Sequence, residues 1–173
     1  MIKSKIKKLL GRDLQHIIIN QNKELEWAHI YRDSIRDKEW LNNLSLNIGR
    51  NAGNYSFFYV LNRILNDYRP KEILELGLGE SSKFISTYLH NYLIESNHTI
   101  IEQNGNWENS FNKRFKLSTR SSIHILPLQQ NNVNGFETNG YEKIQEFITK
   151  KYDLYLIDGP FGSPNYSRYD IVN

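Results

Sequence analysis

The run Glu75-Leu-Gly77-Leu-Gly79-Glu-Ser81-Ser82 places two glycines and two hydroxyls between an apolar, strand-like stretch and a helical one. Gly77 permits a tight turn, and Gly79 lets the backbone approach a ligand with no Cβ in the way. The helix that follows offers unpaired N–H groups and the positive end of its dipole to an anionic group. Ser81 stands where the dinucleotide fingerprint has a third glycine, so its hydroxyl, or that of Ser82, either caps the helix or meets a ligand carboxylate. The plainer alternative is a strand-to-helix turn in which the glycines serve geometry alone.

Glu102 closes the next apolar run, at the interval after the glycines where an acid reaches ribose hydroxyls in a nucleotide-binding βαβ unit. A carboxylate suits two adjacent hydroxyls because it accepts from both at once. An exposed strand-end acid is the alternative. Gln103, Asn104 and Trp107 follow in the same loop and are placed to line a base pocket, although Trp107 equally suits a helix core. Asp158 ends the apolar run Tyr152 to Asp158 and precedes Gly159-Pro160. An Asp there accepts a proton from a hydroxyl, holds a metal or caps the turn. Arg168 and Asp170 reach the same crevice or form a surface ion pair. His124, inside a strand, reads as structural, and His16 and His29 have no metal-ligand spacing.

These residues need a scaffold, and the pattern supplies one. From Lys3 to about Arg69 the reading is mostly helical, broken by the polar stretch Asn47 to Tyr55. Phe57, Phe58, Val60, Leu61, Ile64 and Leu65 form an apolar stripe on a helix that ends before Pro70. Beyond it, strand and helix alternate. A strand begins at Glu72, a helix runs Ser81 to Leu93, a strand His98 to Glu102 and a helix Trp107 to Leu117. A third strand covers Ser122 to Pro127, a third helix Tyr141 to Lys151 and a fourth strand Tyr152 to Asp158, while Gln129 to Gly140 reads as a loop. Such alternation predicts an α/β fold, a Rossmann-like, mostly parallel sheet with flanking helices. The division is a helical N-terminal extension, 1–54, and a cofactor-binding domain, 55–173. The chain ends soon after the fourth strand, so the expected sheet is incomplete at its C-terminus, with that strand an edge for a partner or the N-terminal helices to cover.

The 173 residues suit one domain, and 39% hydrophobic with 13% aromatic residues suffice for its core. With no cysteine, disulfides, thiolate metal sites and cysteine nucleophiles are excluded, which fits a cytoplasmic protein. A net charge of +3 does not indicate nucleic-acid binding. Lys3, Lys5, Lys7, Lys8 and Arg12 alternate with Ile2, Ile6, Leu9 and Leu10 at helical spacing, giving a basic amphipathic helix for an anionic membrane surface, a partner or its own domain. The segment lacks the features of a signal peptide.

Taken together, Glu75-Leu-Gly77-Leu-Gly79, Glu102 and Tyr152 to Asp158 with Gly159-Pro160 resemble the class I, Rossmann-like S-adenosylmethionine-dependent methyltransferases over roughly residues 57 to 170. The resemblance implies that Glu75, Gly77 and Gly79 embrace the methionine part of the cofactor, that Glu102 binds its ribose and that Asp158 faces the methyl acceptor. Ser81 and Gln103 complete the expected cofactor site. The Leu-Gly-Glu-Ser-Ser-Lys run and the Ile-Asp-Gly-Pro-Phe-Gly-Ser run, with Ser167-Arg168-Tyr169, further resemble methyltransferase-like proteins of bacterial polysaccharide biosynthesis. The implied reaction is O-methylation of a sugar or other small hydroxyl acceptor, with Asp158 as base or metal ligand. A catalytically incomplete cofactor-binding or scaffold domain is the alternative, with an NAD-dependent oxidoreductase ranked below it.

Overall fold

In a computed structural model the described residues are 19–20, 22–49, 53–160 and 167–168. The basic N-terminal segment and Asp170 lie outside them. A helix over residues 22–34 (α1) and the short α2 (Glu39–Asn42) lead into α3 (Tyr55–Asp67). Next come β1 (Glu72–Leu76), α4 (Glu80–Asn91), β2 (Asn97–Glu102), α5 (Gly105–Asn112) and β3 (Ser121–Ile125). The hairpin β4 (Leu128–Val133) and β5 (Phe136–Tyr141), a 3-10 turn over Ile144–Glu146, β6 (Leu154–Ile157) and the two-residue β7 (Ser167–Arg168) complete the order.

The main sheet has the order β3-β2-β1-β6, and every neighbouring pair in it is parallel. The chain steps outward from β1 to β2 to β3, then crosses back to place β6 on the other side of β1. This is the order of the first four strands of a doubly wound sheet, and the reversal falls between β1 and β6. Ile73 to Leu76 of β1 are fully buried, as a central parallel strand covered on both faces must be. Among the described residues β6 pairs only with β1, and Tyr155 and Ile157 on it are exposed.

On one face Ile73 joins Phe58, Leu61 and Leu65 of α3 with Phe84, Ile85, Tyr88 and Leu89 of α4. Tyr31, Ile35 and Leu41 from the N-terminal segment sit in the same cluster, and Trp40 meets Tyr88 edge-on at 4.9 Å. Each such side chain, once fully buried, contributes about 1.5–3 kcal/mol. Ile100 and Phe111 extend this layer under α5. On the other face Leu74, Leu76 and Ile101 meet Tyr141, Ile144 and Tyr152.

Three expectations are corrected. The stretch 129–140 forms not a loop but the antiparallel hairpin β4–β5, turning at Asn134 (φ 53°) and Gly135 (φ 85°). Both signs match the two-residue turn whose twist suits paired strands, and the Asn-Gly step between Val133 and Phe136 was its signal. The helix expected over Tyr141 to Lys151 reduces to the 3-10 turn. Tyr141 belongs to β5 and Lys143 adopts a left-handed conformation (φ 58°), so only one turn is left to bring Ile144, Phe147 and Ile148 onto the sheet. Helix α5 starts and ends earlier than Trp107 to Leu117. The Asn104 side chain caps it by accepting from the Asn106 and Trp107 N–H groups, and the chain turns after Asn112 so that Phe115 and Leu117 fold back on Phe111. No helix among the described residues is long and apolar enough to cross a membrane.

Candidate functional site at the strand-order reversal

Open parallel sheets bind ligands beyond the carboxyl ends of their strands, where the strand order reverses. Here that position holds a crevice of about 720 Å³. Leu78, Gly79, Glu80 and Ser81 form its floor at the start of α4. Trp107, Phe111 and Arg114 of α5 and its C-terminal turn stand on one side, Leu156, Ile157 and Asp158 on another, and Asn47, Gly49, Gly53, Asn54 and Phe57 close it from the N-terminal side.

Local sequence chemistry sets this wall in place. Gly77 has a φ of 103°, a conformation open to glycine and strained for other residues. Its N–H donates to the Ile101 carbonyl at 2.8 Å, turning the chain from β1 over β2. Gly79 caps α4 with no side chain, and a Cβ there would meet nothing within 4 Å, leaving backbone bare at the crevice. The Ser82 hydroxyl accepts from the Gly79 N–H at 3.0 Å. Asn54 caps α3 by accepting from the Phe57 N–H at 2.9 Å. Glu80 binds Lys83 at 2.7 Å and accepts from the Asn47 N–H at 3.0 Å, fastening the N-terminal wall to α4.

Of the residues expected at the site, Gly79, Ser81 and Asp158 meet in the crevice, and Trp107 joins them, 41% exposed, with its indole N–H on the Leu78 carbonyl at 2.7 Å. Asp158 is exposed there, its backbone N–H held by the Leu76 carbonyl at 2.9 Å. The two acids lie behind the wall. Glu75 is fully buried, takes the Ser81 hydroxyl on one carboxylate oxygen and has the other 2.9 Å from His98 Nε2, off the line of a well-directed hydrogen bond. On the far side of that ring, Nδ1 lies 3.4 Å from the Ser121 hydroxyl.

Glu102 is also buried and accepts from three backbone N–H groups: Leu78 at 3.0 Å, and Gln103 and Asn104 at 2.9 Å each. A carboxylate has about four acceptor positions, so one remains. Gln103 accepts from the Tyr141 hydroxyl at 3.2 Å and lines a separate shallow depression with Asn104, Asn106 and Pro127.

His124 packs its ring on Phe147 and touches the Ser122 hydroxyl at 3.2 Å, and burial lowers its pKa. For Arg168 only the backbone pairing with Asn139 is described. No group of three or more His, Asp or Glu among the described residues is placed to hold a metal ion. The crevice residues that sequence reasoning missed are Asn47, Asn54, Phe57, Phe111 and Arg114. Asn54 carried a legible helix-start signal, a capping side chain just before an apolar stripe. For Arg114 no local pattern existed.

Comparison with family models, with curated proteins and with solved structures gives no match for this chain.

Proposed function

We propose that the chain is a Rossmann-like, S-adenosylmethionine-dependent methyltransferase that acts on a hydroxyl of a sugar or similar small acceptor in the cytoplasm, in polysaccharide biosynthesis. The observation that carries this reading is the crevice at the β1–β6 reversal, with bare Gly79 backbone, the Trp107 face and the Asp158 carboxylate around one space. Its volume lies within the range of small-molecule sites, about 300–1,000 Å³. The mix of apolar surface and a few polar groups fits an adenosyl ligand. When bound, the cofactor would supply an electrophilic methyl group. The protein's contribution is alignment by the Gly79 backbone and the Trp107 wall, with Asp158 accepting the proton of the acceptor hydroxyl.

A second reading, a cofactor-binding or scaffold domain without turnover, draws on a different observation. Glu75 and Glu102, the two acids a cofactor would need, hold Ser81, His98 and backbone N–H groups instead.

Calorimetry with S-adenosylmethionine, S-adenosylhomocysteine and NAD decides among these, using wild type, Gly79→Leu and Trp107→Ala. Adenosyl binding that both substitutions weaken, with methyl transfer to a sugar acceptor, is the expected result. Binding without turnover across an acceptor screen favours the scaffold reading, and NAD binding alone moves the site to oxidoreduction.

A further inference from the structure

We infer that the acceptor at this crevice is anionic, a sugar bearing a phosphate or carboxylate, and that Arg114 receives its charged group; the inference rests on the methyl-transfer reading above. Lys113 and Arg114 follow one another at the C-terminal turn of α5. Neither forms an ion pair among the described residues. The acid nearest in sequence, Glu108, accepts from the Asn112 side chain. This side of the crevice therefore carries positive charge on Arg114 with no ion-pair partner among the described residues, which raises the local concentration of an anion and steers it inward.

Of the two, Arg114 lines the crevice. Its guanidinium carbon sits 5.2 Å over the Trp107 ring, and its Nε donates to the Ser110 carbonyl at 3.1 Å. Those two contacts fix the plane of the fork, and no contact of its terminal nitrogens with a carboxylate is seen among the described residues. A planar fork held in this way suits the two oxygens of a phosphate or carboxylate. Glu80, an acid on the same crevice, is paired with Lys83.

The charge of the ligands assigns the anion to the acceptor. At neutral pH S-adenosylmethionine carries a sulfonium, an ammonium and one carboxylate, so it is a net cation and gains nothing overall from a basic rim. An acceptor with a phosphate or carboxylate gains from the charge of Arg114, and once docked there it shares the crevice with Asp158.

The test follows the Trp107 indole N–H resonance and calorimetric affinity while glucose 1-phosphate, glucuronic acid or glucose is added, with S-adenosylhomocysteine affinity measured in parallel. Glucose 1-phosphate and glucuronic acid are expected to bind and glucose not. Arg114→Gln should weaken both anions by roughly ten- to a hundredfold, the range for one charge-assisted hydrogen bond. S-adenosylhomocysteine affinity should hold within about threefold, with Arg114→Lys between wild type and Gln. Lys23→Gln, which removes a charge elsewhere on the surface, should change neither.

Equal binding of glucose, anion binding indifferent to Arg114→Gln, or a loss that falls on S-adenosylhomocysteine would overturn the inference. Wild-type protein that binds the anions through Arg114 yet ignores S-adenosylhomocysteine would refute methyl transfer and uphold the anion site.

Discussion

Gly77 and Gly159 meet backbone to backbone: a Cβ on Gly77 would lie 3.0 Å from the Gly159 nitrogen, and one on Gly159 would lie 2.9 Å from the Gly77 nitrogen. The ends of β1 and β6 come this close because the Leu76 carbonyl takes both the Asp158 N–H at 2.9 Å and the Gly159 N–H at 2.5 Å. The pair thereby sets the spacing between Gly79 and Asp158 across the crevice.

The two site glycines should therefore respond differently to alanine. Gly77→Ala adds a methyl against Gly159 backbone at a φ of 103°, and is expected to cost about 2 kcal/mol or more. Gly79→Ala meets open space, has a φ of −168° and should cost under about 1 kcal/mol, chiefly as a poorer helix cap. Urea denaturation of both variants reads the difference directly; equal losses would mean that the close approach of the two strands is not a constraint.

The Glu75–His98 contact lies wholly inside the protein, so removal of either partner strands a buried polar group. Glu75→Ala and His98→Ala are each expected to lose about 3–5 kcal/mol. The double variant should lose less than the sum, with a coupling of about 0.5–3 kcal/mol in a double-mutant cycle. Glu75→Gln should be milder, since an amide oxygen still accepts from Ser81.

Glu102 joins two loops, because one of its oxygens serves Leu78 after β1 and the other serves Gln103 and Asn104 after β2. Glu102→Ala leaves three N–H groups without their acceptor and is expected to cost about 3 kcal/mol or more. Amide hydrogen exchange should accelerate first at Leu78, Gln103 and Asn104. If exchange there is unchanged while cofactor affinity collapses, the carboxylate serves the ligand rather than the loops.

Asp153 ties the start of β6 to β1 by accepting from the Lys71 N–H at 2.8 Å and the Glu72 N–H at 3.0 Å, and those bonds lower its pKa. Glu72 is lowered too, first by the hydrogen bond from Lys150. A carboxylate whose folded pKa is depressed stabilises the fold above its unfolded pKa and loses that contribution as pH falls through the folded value. Stability should thus be flat near neutrality and fall below about pH 4, the ordinary carboxylate range. Asp153→Asn should be less stable than wild type at pH 7 and converge on it in acid, and parallel curves down to pH 2 would refute this origin of the acid limb.

Much of the scaffold was legible in the sequence. Apolar alternation and the break before Pro70 marked α3, β1, α4, β2, β3 and β6, because backbone propensity and side-chain periodicity act over a few neighbouring residues. The same locality explains why Gly77, Gly79 and Asp158 were found at strand ends, and why the Asn134-Gly135 step held a hairpin signal even where the polar strands around it read as loop. What the sequence could not contain is who meets whom. Glu75 finds His98 and Glu102 finds Leu78 only after β2 has been laid beside β1, and Arg114 reaches the crevice only once α5 has folded over the edge. A buried carboxylate takes whichever donors the packed strands bring within about 3 Å. Hence the sequence determined that acids would stand near the glycine turn, and the tertiary structure decided that two of them face inward and one, Asp158, faces the crevice.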